Sequence, residues 1–126
     1  MSAVAALVLC LSPTVMDGDT FRCANTPQKI RIAGIDAPDH TCRGRRDPDN
    51  CQLTGPRGDW TQSRAHLAWM LRRSVRLRFY AGSTYGRRIA AVCAGNVNVG
   101  AAMVQRGYAR YMARWNGSGV RYKCPV

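Results

Sequence analysis

Short runs of alternating apolar and polar residues, interrupted once by a long polar stretch, restrict this chain more than any other feature. Residues 6 to 16 read as a strand, with Pro13 pushing part of it to an edge or bulge because proline cannot donate to a ladder. Asp17-Gly18 is a hairpin turn signal, since both central residues of a type I′ turn need positive φ. Thr20 to Cys23 starts the return strand, Asn25-Thr26-Pro27 is a second turn, and Lys29 to Ile35 reads as a third strand.

Residues 37 to 58 hold Pro38, Pro48, Pro56, three glycines and many charges, which reads as a long loop. Asp59 followed by Gln62 resembles a capping box, and Trp60, Leu67 and Leu71 lie near one face at helical spacing. Val75, Leu77 and Phe79 then alternate with Arg76, Arg78 and Tyr80 as a fourth strand. Gly82 to Gly86 is expected to turn the chain into a fifth strand over Ile89 to Cys93. Asn98 is placed to cap a second short helix running to about Arg106, with Gly107 at its C-terminal end. Three strands, a helix, two strands and a helix is the order of a five-stranded OB-fold barrel, an α+β class that is mostly β. That fold often binds nucleic acids and sugars, but the fold alone does not fix a function.

A chain of 126 residues is one domain by length. Residues 1–13 read either as a signal-peptide remnant or as the start of the first strand. Residues 14–113 carry the barrel, and 114–126, rich in Gly, Asn and Arg, are expected as a surface tail. The apolar stretch at the N-terminus is too short to span a bilayer, and no other segment is a candidate.

The charge balance points outward. There are 19 Lys+Arg against 7 Asp+Glu, a net +12, and nearly all the cations are arginine. Such a field draws polyanions, and arginine can grip a phosphate with two parallel hydrogen bonds. All seven acids are aspartates, and Asp17, Asp19, Asp36 and Asp39 crowd two short motifs in the first third of the chain. Six cysteines form an even set without zinc spacing, which points to disulfides and an oxidising compartment. Six cysteines allow about 15 pairings, and Cys42–Cys51, bracketing a short polar loop, is the first choice.

Three pieces carry the chemistry: Asp17-Gly18-Asp19-Thr20, the stretch Arg31 through Asp39, and Tyr85-Gly86-Arg87. In this order they resemble the staphylococcal nuclease family, whose pattern is an Asp-Gly-Asp-Thr hairpin, an arginine opening a strand that ends in Asp-x-Pro-Glu, and a later Tyr-Gly-Arg. The resemblance runs from about residue 14 to residue 109. It implies a secreted or periplasmic, calcium-dependent endonuclease, monomeric and without a membrane. Its substrate would be DNA or RNA, single strands preferred, cut so that the phosphate stays on the 3′ side.

The resemblance also implies roles. Asp19, Asp36 and the carbonyl of Ala37 would ligate Ca2+, Arg31 and Arg87 would clamp the scissile phosphate, and Tyr85 would pack near the substrate. Asp39 stands where the family has Glu, the residue taken to activate or orient the attacking water. Aspartate reaches about 1.3–1.5 Å less, and a misplacement of about 1 Å costs on the order of a hundredfold in rate. The departure leaves a second reading, a catalytically weak or inactive nucleic-acid-binding module. The residue chemistry agrees with hydrolysis: phosphodiester cleavage needs cations against the transition-state charge, a positioned water and a base. Asp17 reads as a turn residue, His40 as an exposed loop histidine and His66 as structural.

Overall fold

The computed structural model describes residues 6–38, 60–84 and 86–125. Nine strands and two α-helices are found among them: β1 (Val8–Cys10), β2 (Thr14–Asp17), β3 (Thr20–Arg22), β4 (Ile30–Ile32), β5 (Ile35–Asp36), α1 (Trp60–Met70), β6 (Val75–Thr84), β7 (Arg87–Ala94), β8 (Val97–Asn98), α2 (Val99–Gln105) and β9 (Arg110–Tyr111). A short 3-10 helix, Gly117–Arg121, follows. The fold is α+β and mostly strand, a curled sheet of the OB type with α1 inserted between the third and fourth expected strands.

The expected first strand is broken in two. Ser12 takes a φ of +46° just before Pro13, and this pair bends the chain between β1 and β2. The bend gives the sheet its curl. The strand order is β1-β6-β7-β4-β3-β2, so the two halves of one strand form opposite edges of the same sheet. β1 pairs antiparallel with β6, β2 with β3, and β4 runs parallel to β7. The expected third strand also divides. Ala33-Gly34 turn between β4 and β5, and β5 leaves to pair with β9 instead. Gly34 has a φ of +82° and lies so close to Val120 that a Cβ would come within 2.8 Å of its Cγ1. Only glycine fits there.

The type I′ expectation for the Asp17–Thr20 hairpin does not hold. Asp17 pairs with Thr20 across a Gly18-Asp19 turn, but neither residue is among those with positive φ. Gly18 is required for a different reason. A Cβ on it would sit 2.7 Å from Ser63 Cβ and 2.8 Å from Ala37 Cβ, so its absence lets the hairpin press against α1 and the end of β5. The second hairpin is also tighter than expected. β6 extends to Thr84, which pairs with Arg87, so Gly82 lies within the strand.

The barrel interior holds Phe21, Ile30, Ile32, Leu67, Leu77, Val92, Val99 and Met103, all at or below 1 % exposure. β7 is buried along most of its length, as the central strand of the sheet must be. Asn98 caps α2 as expected, its Oδ1 accepting from the Ala101 N–H at 3.0 Å, and Gly107 follows with a φ of +80°. Cys10–Cys23 and Cys93–Cys124 are disulfides. On loop-closure arithmetic each contributes about 3–4 kcal/mol. The favoured Cys42–Cys51 pair lies outside the described residues.

The segment from Arg114, expected on the surface, is instead partly buried. Gly117 and Gly119 are enclosed, Cys124 is tied to β7, and the Gly34 N–H donates to the Trp115 carbonyl at 2.6 Å. The Asn98 side chain donates to the carbonyls of Gly119 and Tyr122, which a composition-based reading of a polar tail does not foresee.

Candidate active site

The β2–β3 hairpin, the β4–β5 turn and the first residue of β7 meet at one end of the sheet. Asp19, at the hairpin turn, is 4 % exposed. Its Oδ1 accepts from the Thr20 hydroxyl at 2.8 Å. Its Oδ2 accepts from the Ala37 N–H at 3.0 Å and pairs with Arg31 Nη1 at 3.0 Å. One carboxylate thus joins the hairpin to both ends of the β4–β5 segment.

Arg31 lies on β4 between Ile30 and Ile32, and all three are buried. Its Nη2 donates to the Ile35 carbonyl at 2.8 Å and lies 3.7 Å from Asp36 Oδ1. The guanidinium stands 5.2 Å from the Trp115 ring centroid, so the C-terminal segment covers one of its faces. Arg31 Nε is buried with no hydrogen-bond partner among the described residues. A buried donor left without an acceptor costs about 1–3 kcal/mol, a deficit that an oxygen-rich ligand can remove.

Asp36 ends β5, a fifth exposed, between Arg31 and Arg110, whose Nη2 is 3.6 Å from Asp36 Oδ2. Burial raises the Asp36 pKa above its ordinary value of 3.8, and the neighbouring Asp19 charge adds to the rise; Arg31 and Arg110 pull the other way without cancelling it. Burial, more than the neighbouring Asp19 charge, is therefore what makes the ionised form of Asp36 costly here. Arg87 reaches it from β7, its Nη1 donating to Thr20 Oγ1 at 3.2 Å. The Thr20 hydroxyl relays that contact to Asp19.

Asp19, Arg31, Asp36, Ala37 and Arg87 are thus brought together, although they come from three separate stretches. Asp39 and Tyr85 lie outside the described residues. Sequence reading gave no role to Arg110 and Trp115, and assigned Thr20 none beyond its place in the motif. Arg110 enters because β5 pairs with β9 in the register Asp36↔Arg110, a long-range pairing that no local pattern signals. His66 is structural in part, as expected: its ring stacks on Tyr108 at 4.3 Å.

Among the described residues no group of three or more His, Cys, Asp or Glu side chains could hold a metal ion. The available donors are two carboxylates beside the Ala37 backbone, a hard-oxygen set suited to calcium or magnesium rather than zinc. The family model for staphylococcal nuclease homologues matches residues 29–124. The chain belongs to the staphylococcal nuclease family. The match takes in Arg31, Asp36 and Arg87 but starts after the hairpin, so Asp19 enters through its contacts with Arg31 and Ala37. A search of the curated proteins found no match. Nuclease-type hydrolysis and a nucleic-acid substrate are what membership supports. The two disulfides fit an oxidising compartment, and no helix among the described residues is long and apolar enough to cross a membrane.

Proposed function

We propose that this protein is a calcium-dependent endonuclease that works outside the reducing cytosol on single-stranded DNA or RNA. The observation that carries the reading is the convergence of Asp19, Asp36, Arg31 and the Thr20-bound Arg87 on one pocket. Calcium suits the donor set. Burial, with Asp19 beside it, makes the ionised Asp36 costly, and a divalent cation between the two carboxylates would offset that cost. Asp19, Asp36 and the Ala37 carbonyl would hold it, and it would polarise the phosphodiester.

The chain's own residues carry the remaining work. Arg31 and Arg87 stand on the paired strands β4 and β7 and offer donors where charge builds on the equatorial oxygens. The contacts of Arg31 with Asp19 and Ile35 fix its plane before substrate arrives, so little reorganisation is left for the reaction. Asp39 orients or deprotonates the attacking water, with Pro38 stiffening the step that precedes it. Tyr85 packs against the substrate.

The direct test is cleavage of heat-denatured DNA with and without calcium. The expected result is cleavage that a chelator stops. Protein that binds such DNA but leaves it intact in calcium defeats the enzyme reading and leaves the binding-module alternative, which Asp39 in place of glutamate favours. Asp39→Glu separates the two further. A gain in rate of up to about a hundredfold marks a working site held back by reach, and no change at all marks a site that does not use this carboxylate.

A further inference from the structure

The outer face of α1 carries a column of stacked rings that the pocket does not use. His66 lies between Tyr108, at 4.3 Å, and Trp69, at 5.6 Å, and the Arg72 guanidinium extends the column 5.0 Å from the Trp69 ring. Arg106 flanks it, its Nη1 3.0 Å from His66 Nε2. The Tyr108 end is half-buried and anchored, because the Tyr108 carbonyl accepts from the Ser63 hydroxyl of α1 at 2.7 Å. The other end is open. Trp69 is 51 % exposed, and Arg72 and Arg106 lie at the surface.

We infer that this column is a stacking platform for the bases of a single-stranded nucleic acid whose backbone continues into the pocket. The inference rests on the nucleic-acid reading above and adds a second contact surface to it. The exposed Arg72 exchanges partners cheaply, so a base can stack on its outer plane or displace it from the Trp69 face, and a stacked base contributes about 1–3 kcal/mol in such sites. Arg72 and Arg106 supply charge for the intervening phosphates. The exposed helix neighbours are Ala65 and Ala68, not large aliphatic side chains, so the surface offers little for a lipid or a protein core to bury. The chain links the two surfaces: Arg110, exposed and paired to Asp36, is two residues past Tyr108. A duplex keeps its bases stacked inside and cannot use the platform, so the platform favours single strands.

The test is equilibrium binding of the full chain to a mixed-sequence twelve-nucleotide DNA strand and to its duplex, in EDTA so that nothing is cut. Single strands are expected to quench tryptophan emission, and Trp69→Phe is expected to remove that component while keeping most of the affinity. Trp69→Ala is expected to weaken single-strand binding by about tenfold or more and leave duplex binding unchanged, with circular dichroism confirming the fold. Arg72→Ala, an exposed change, decides the matter if Trp69→Ala does not fold, and is expected to weaken single-strand binding more than duplex binding. Wild-type affinity in a folded variant, or equal loss for single strand and duplex, overturns the platform. A protein that cuts in calcium but shows no Trp69 dependence loses this inference alone. One that never cuts yet shows the dependence loses the enzyme reading alone.

Discussion

Arg31 and Arg72 both stack on a tryptophan, at 5.2 Å over Trp115 and 5.0 Å over Trp69, yet they live under opposite rules. Arg31 is 4 % exposed, its Nη1 and Nη2 engaged by Asp19 and the Ile35 carbonyl and its Nε without a partner among the described residues. Arg72 is exposed, and its Nε is held by the Trp69 carbonyl within the same turn of chain. A buried cation must be matched atom by atom, because each unmatched charge costs several kcal/mol. An exposed cation is screened and can exchange partners cheaply. The buried site therefore tolerates few arrangements, while the α1 face can exchange its contacts with the surroundings.

The comparison breaks most visibly at Asp19. Asp19→Ala leaves the Arg31 guanidinium buried without its closest anion and cuts the tie to Ala37. The expected loss of stability is about 3–5 kcal/mol, as for other broken buried pairs, with cleavage lost entirely. Urea denaturation and the calcium-dependent assay measure the two effects. A variant as stable as the parent shows that the buried pair does not hold the hairpin in place.

Arg87→Ala sharpens the contrast, because Arg87 sits between the two regimes. It is half-buried and donates to the Thr20 hydroxyl, which in turn donates to Asp19. Removing one transition-state donor costs about a hundredfold to a thousandfold in kcat. Loss of the Thr20 bond accounts for about 1 kcal/mol of stability. Steady-state kinetics with a parallel thermal melt separates these. A large fall in melting temperature with little change in kcat assigns Arg87 to the scaffold instead.

How far the sequence foretold this site follows from the range of each contact. Asp19, Arg31 and Asp36 stand in compact motifs that the resemblance to the family already assigned to one site. The alternation of Val75, Leu77 and Phe79 likewise announced β6, because a half-buried strand leaves a period of two in the text. Arg110 and Trp115 left no such trace. Their roles come from β9 crossing to β5 and from Trp115 folding back over Arg31, both set by distant pairing. Gly18 was read for backbone freedom when it is needed for the closeness of Ser63 and Ala37, a packing fact that no turn pattern contains. Composition misjudged the segment after Arg114 for a related reason. Its small residues are what allow Gly119 to lie against Ala33, where a Cβ would come within 2.4 Å of its neighbour.

The smallest expected effect tests the cost of burying Asp36. In the folded protein the Asp36 carboxyl has a pKa raised above 3.8 by burial and by Asp19. Between that ordinary value and the raised one, the folded state holds more proton than the unfolded chain, so stability falls as pH climbs through the window. Above the window the full penalty persists. Asp36→Asn removes the charge while keeping the shape, and Arg31 retains Asp19 and the Ile35 carbonyl. Arg110, 53 % exposed, loses its partner to solvent at little cost. The metal-free variant should therefore melt a few degrees above the parent at neutral pH and match it in acid, although it no longer cleaves. Calcium should reverse the order by stabilising the ionised Asp36 of the parent and leaving the variant untouched. A variant that melts lower than the parent in EDTA means that Arg31 and Arg110 already balance Asp36, and the pocket then has no need of a cation.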